Sequence, residues 1–185
     1  MKITACAYPP DWAQNEMLAL PVFSDQAPAR GIAGRIDFRL NGLISGLILE
    51  QLLKKDDPWL LINLERKVAP RLLLASAGEA DALTLDSSAK WLQRTAAKLF
   101  NAGARSYALD VGDLYRPEFP IREFAGNVLR SLIPYQLEQV KLYVGLNLAD
   151  KLVQELGRWL HYYKPEAPVE FSLRVIPEMF EEPEK

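Results

Sequence analysis

The sequence predicts a three-layer α/β/α sandwich around a mixed, partly parallel central sheet. Three observations predict it. From residue 59 onward, short apolar runs of strand length alternate with longer segments of helical periodicity. The later runs are joined by helices, the connection that parallel strands need. The first two runs, "PWLLINLE" and "RLLLASA", are separated only by the polar stretch "RKVAP", which fits an antiparallel hairpin.

Taken in order, "EMLALPVFSD" reads as a buried strand closed by Ser-Asp turn chemistry. "QAPARGIAGR" reads as a loop punctuated by Pro28, Gly31 and Gly34. A helix fits "NGLISGLILEQLLKK", with Gly42 and Gly46 calling for close packing against a neighbour. The hairpin follows. Next, "LDSSAKWLQRTAAKLFNAGA" is a helix with Asp86 or Ser87 as N-cap, Gly103 as its stop, and Trp91, Leu92, Thr95, Ala96, Leu99 and Phe100 on one face. "SYALDV" is a strand. "PIREFAGNVLRSLIPY" is a helix opened by Pro120 and closed by Pro134. "QVKLYVGLN", "ADKLVQELGRWLHYY" and "PVEFSLRVI" complete a strand, a helix and a last strand. Residues 1–177 are expected to form a single domain, with residues 178–185 an acidic, proline-broken tail.

Composition narrows the partners. The 185 residues are 49% hydrophobic and 25% charged, with 22 basic against 24 acidic side chains and a net charge of −2. Such a balance offers no global field for nucleic acid or an anionic membrane. No run approaches the ~18 apolar residues of a membrane span. One cysteine, Cys6, suits a reducing compartment, and a cytoplasmic protein is expected.

Four stretches could carry chemistry. "RGIAGR", with Arg30, Gly31, Gly34 and Arg35 and with Arg39 beyond, could hold an anion, since arginines pair bidentately with phosphate; alternatively the arginines face water or Asp37. "ASAGE", with Ser76 and Gly78, has the strand–glycine–helix form of a phosphate cradle. However, Glu79, Asp81 and Asp86 follow, and would repel a phosphate, so the turn reads as structural. "LDVGDLY" puts Asp110 and Asp113 at the carboxyl end of a strand, where α/β ligands gather. His161, the only histidine, lacks the partners of a zinc site or a triad and reads as a satisfied group at a helix end. Trp91 and Trp159 read as core, and "WLHYY" together with Met179 and Phe180 as a candidate partner surface. No catalytic residue, metal or cofactor is expected.

The order "LALPVFSD", "IDFRLNGLISGLILEQLL", "RLLLASAGE", then "GNVLRSLIPYQLEQVKLYV" resembles the N-terminal domain of the leucyl aminopeptidases, the cytosol aminopeptidase family, from about Met17 to Val144. The resemblance implies a macro-like fold. It also implies a chain without the metal-binding catalytic domain, hence no enzyme. The leading expectation is therefore a stand-alone, non-catalytic module for protein interaction or assembly, with a protein partner or homo-oligomer. The alternative is a macro-type binder of a nucleotide or ADP-ribose near "RGIAGRIDF", Ser76–Glu79 and Asp110–Asp113, and a hydrolase comes third.

Overall fold

In a computed structural model, residues 1–12, 15–53, 59–64, 69–135, 137–163, 165 and 168–175 are described. Seven strands form one sheet: β1 (Lys2–Cys6), β2 (Met17–Val22), β3 (Trp59–Asn63), β4 (Arg71–Ser76), β5 (Ser106–Asp110), β6 (Gln139–Tyr143) and β7 (Glu170–Arg174). Their order is β3-β4-β2-β5-β6-β1-β7. Only the β3–β4 pair is antiparallel, the hairpin expected from sequence; every other pair is parallel. The helices are α1 (Gly31–Arg39), α2 (Leu43–Leu49), α3 (Leu85–Asn101), α4 (Ile121–Leu132) and α5 (Leu146–Tyr163).

The pleat sorts the central strands into two cores. Met17 and Ala19 of β2 face one side with Leu73, Leu109, Val140 and Leu142, under α3, α4 and α5. Leu18, Leu20 and Val22 face the other with Leu72, Leu74, Ala108 and Tyr143, under α1 and α2. A strand buried on both faces has no polar side, which is why β2 reads as an unbroken apolar run. The result is a three-layer α/β/α sandwich with a mixed seven-stranded sheet.

Trp91 of α3 is buried and donates its Nε1–H to the Ala75 carbonyl, 3.0 Å away. The N-cap of α3 is Thr84 rather than Asp86 or Ser87. Its hydroxyl accepts the Ser87 N–H at 3.1 Å while Ser87 Oγ accepts the Thr84 N–H at 2.9 Å. Trp159 packs across Gly126 on α4 and donates to the Arg122 carbonyl at 2.6 Å; it is only partly buried.

Three further elements depart from expectation. β1 lies between β6 and β7, although "KITAC" has no sequence reading as a strand. "GIAGRIDFR" is helical, not loop. The single helix expected over "NGLISGLILEQLLKK" is shorter, and a corner through Asn41 and Gly42 separates it from α1. Both corner residues have positive φ, 56° and 82°, which a glycine accommodates at little cost. Among the described residues, a Cβ at Gly42 or at Gly46 would meet no atom within 4 Å, so the tight packing expected at both is corrected too. The tail, 178–185, and most of "KPEAP" lie outside the described residues.

Asp37 holds the α1–α2 corner. From within α1, its buried carboxylate accepts the N–H groups of Ile44 (2.6 Å) and Ser45 (3.2 Å) and the Ser45 hydroxyl. These N–H groups open α2 and have no partner in their own helix. Asp37→Ala is expected to lower stability by about 1–2 kcal/mol, the cost of losing a helix cap, while Asp37→Asn, which keeps an accepting oxygen, should lose less. Urea unfolding of the two variants measures the difference.

Candidate functional site

The parallel strands end in a cleft of about 900 Å³. Its floor is Ala7–Pro9, directly after β1. One wall is Gly31, Ile32 and Arg35 at the start of α1. The other is Val144–Leu148 and Lys151, the turn from β6 into α5. Gly112, Asp113, Tyr115 and Pro117, following β5, close the end. Ligands in open α/β sheets gather at this edge, and a cleft of this size, mostly apolar with a few polar groups, is the usual form of a small-molecule site.

Asp113 fixes the first wall. Its Oδ2 accepts the Ile32 N–H at 2.9 Å, so a carboxylate already occupies the positive end of α1. Gly31 makes this possible: its φ is +60°, and a Cβ there would overlap the Asp113 carboxyl. Asp110 stands behind. It is fully buried, and its Oδ1 accepts the Asp113 N–H at 3.2 Å, while its Oδ2 has no hydrogen-bond partner among the described residues. Burial raises its pKa well above the ordinary carboxyl value, and the nearby Asp113 charge raises it further. The N–H bonds it accepts act in the opposite direction.

Arg35 and Arg39 do not turn to Asp37. Both reach Asp11, in the short 3-10 turn Pro10–Trp12 between β1 and β2. The "ASAGE" turn lies outside the cleft lining. Ser76 Oγ accepts the Gly78 N–H at 3.3 Å, the Gly78 carbonyl accepts the Ser24 N–H at 2.8 Å, and Asp25 accepts the Ala80 N–H at 2.9 Å. These bonds stitch the turn to the chain leaving β2.

Of the eight residues singled out in the sequence, then, Gly31, Arg35 and Asp113 line the cleft. Asp110 supports them from behind. Arg30 is the exposed N-cap residue of α1, and Gly34 packs on the Ala29 carbonyl. Ser76 and Gly78 stay in their own turn. His161 is exposed in the last turn of α5, the helix end expected for it, beside Arg122, Glu155, Arg158 and Tyr162 in a separate depression, and it does not converge with the two aspartates. Sequence reading missed the segment after β1 and the Val144–Leu148 turn. The latter had a visible signal, since "YVGLN" runs strand, glycine, helix.

Among the described residues, no cluster of His, Cys, Asp and Glu could hold a metal ion, and no helix is long and apolar enough to cross a membrane.

No protein-family model and no curated sequence matches this chain. Solved structures do. A variant of the Oceanobacillus iheyensis macrodomain aligns with a TM-score of 0.67 at 11% identity, covering 85% of this chain and 92% of that one. The Oceanobacillus iheyensis macrodomain with ADP gives 0.58 at 12% identity, covering 78% and 85%. Thermosipho africanus DarTG in complex with ADP-ribose gives 0.53 at 12% identity, covering 72% of this chain and 39% of that one. The chain has the macrodomain fold.

These likenesses overturn the leucyl aminopeptidase reading. The solved structures that the chain resembles are macrodomains, not peptidase N-terminal domains. The expectation of a peptidase-derived module for interaction or assembly falls with it. The argument that the chain is no enzyme, drawn from a missing peptidase domain, loses its support as well. The reason is physical: an order of apolar strands and amphipathic helices specifies layers, and many lineages share those layers.

The buried carboxyl yields a prediction. Below its ordinary value of 3.8, Asp110 is protonated whether the chain is folded or not. As pH rises, the unfolded chain ionises while the folded chain resists, so stability falls from about pH 4 until the raised folded value is passed. Asp110→Asn keeps the oxygen facing the Asp113 N–H and removes the ionisation. Its unfolding midpoint should match the wild type near pH 4 and exceed it increasingly toward neutral pH; a constant offset would refute the assignment.

Proposed function

We propose that this protein binds a nucleotide of the adenosine diphosphate class, ADP or ADP-ribose, in the cleft at the carboxyl ends of β1, β5 and β6. The observation that carries the reading is the pairing of two helix starts across that cleft. Asp113 already neutralises the start of α1. The opening turn of α5, residues 145–148, lines the opposite wall with no acidic side chain of its own, and Lys151 stands one turn further on. Backbone N–H groups at a helix start, with a cation nearby, suit a phosphate. Tyr115, Pro117, Leu146 and Leu148 supply apolar surface for a base or sugar face. The ADP and ADP-ribose bound to two structures of similar fold support the choice of ligand class.

The reading is one of binding. A hydrolase would have drawn on Asp110, Asp113 and His161. His161 lies elsewhere, Asp110 is fully buried, and one oxygen of Asp113 is engaged by α1.

Thermal unfolding against ADP and ADP-ribose tests the proposal. A ligand at ~100 times its dissociation constant stabilises by about 2.7 kcal/mol, a shift of about 5–10 °C for a chain of this size. Leu146→Trp, at an exposed position on the cleft wall, should abolish the shift without lowering the unliganded midpoint. The absence of any shift with the wild-type protein would overturn the reading.

A further inference from the structure

We propose that Arg35 is the side chain that recognises the ligand's anionic group, and that buried Asp11 is the residue that positions it. The inference rests on the nucleotide reading of the cleft and names the group that makes it selective.

Asp11 is unusual for an aspartate in a turn, because its side chain is only 1% exposed. Burying a carboxylate is costly unless it is paired. Here the pairing is doubled. Arg35 Nε lies 2.6 Å from Oδ1 and donates a hydrogen bond to it. Arg39, one turn along α1, places an Nη 2.9 Å from Oδ2, though not aligned as a hydrogen bond. One carboxylate cannot neutralise two guanidinium groups, so this cluster of three side chains keeps a surplus of one positive charge. Arg35, not Arg39, is in the cleft wall.

The guanidinium of Arg35 is held from a second direction. Its central carbon lies 5.4 Å from the centroid of the Trp12 ring, the next residue after Asp11. With Nε committed to Asp11, the two Nη groups make no hydrogen bond among the described residues. What remains is a planar fork of donors, fixed in orientation, beside a cleft that it lines. Such a group can bind phosphate oxygens in bidentate fashion, and being already ordered it loses little freedom when it does so. Lys151, on the other wall, has no ion pair among the described residues to hold it; it can add charge but little directional selection.

An alternative role is purely structural: Asp11 would clamp α1 to the β1–β2 connection and contribute nothing to recognition. The two roles differ in which ligands they affect. Titration calorimetry with ADP and with adenosine separates them, because adenosine has the base and sugar but no charge. For Arg35→Gln we expect ADP affinity to fall by about tenfold or more, the scale of a lost charge-assisted contact, with adenosine affinity unchanged. Arg35 is 41% exposed, so the variant should fold. For Asp11→Asn we expect a smaller loss, again confined to ADP, as the guanidinium loses its anchor. Rising salt should weaken ADP binding less in Arg35→Gln than in the wild type.

Equal losses for ADP and adenosine, or no loss in Arg35→Gln, would overturn this inference alone and leave the nucleotide site standing. A wild-type protein that binds neither ligand would overturn both. Should Asp11→Asn fail to fold, Arg35→Gln and its salt dependence still decide the role of Arg35, and Trp12→Leu, which removes the second support of the guanidinium at an exposed position, decides whether its positioning matters.

Discussion

The contact between the Asp113 carboxylate and the first turn of α1 is the joint on which the cleft depends. It links the segment after β5 to a helix on the opposite face of the sheet. Its geometry leaves no room for a side chain at Gly31. The joint is supported from both sides: Asp110 accepts the Asp113 N–H, and Arg116 donates to the Asp113 carbonyl at 3.0 Å and toward the Ala80 carbonyl at 3.4 Å. Arg116 thereby ties the end of the cleft to the turn after β4. The cost is a buried carboxyl held back from ionising. The structural consequence is a wall whose helix start is already satisfied, which leaves the start of α5 as the helix terminus open to a ligand in the proposed reading.

The outer layers were legible because their signals are periodic. Trp91, Leu92, Thr95, Ala96 and Leu99 repeat at helical spacing, and all five are buried in α3. The β3–β4 hairpin was legible from two apolar runs too short to be helices. β1 was not, since five residues at the chain start with one lysine carry little pattern of their own; their burial comes from β6 and β7, which lie far away in sequence. α1 was lost for a different reason. Two glycines in nine residues argue against a helix on propensity, yet Gly31 is there for Asp113 and Gly34 for the Ala29 carbonyl. Tertiary contacts placed both glycines, and no local rule contains those contacts.

The strand–glycine–helix signature occurs twice, and the two occurrences part company. After β4, Gly78 is followed by three acidic residues, is bonded to the chain leaving β2, and lies outside the cleft lining. After β6, Gly145 leads within one residue into α5, with no acid before Asp150, and this turn lines the cleft. The signature alone does not separate them. What separates them is the distance from glycine to helix start and the charge in between, because only a short uncharged link can present helix N–H groups to an anion.

The proposal of an anion in a cleft that contains or borders three aspartates looks self-defeating until each acid is followed to its partner. The Asp113 charge is met by the start of α1. Asp110 is held back from charging by burial and by Asp113. Asp11 is shared by two arginines, which more than cancel it. Each acid is neutralised by a different means, and what is left facing the cavity is Arg35, which shares Asp11 with Arg39, together with Lys151 and the opening turn of α5. The net charge of −2 for the whole chain therefore says nothing about this surface. Local pairing decides the sign of the potential that a ligand meets, since at contact distance and partial burial it is felt far more strongly than charges spread over the exterior.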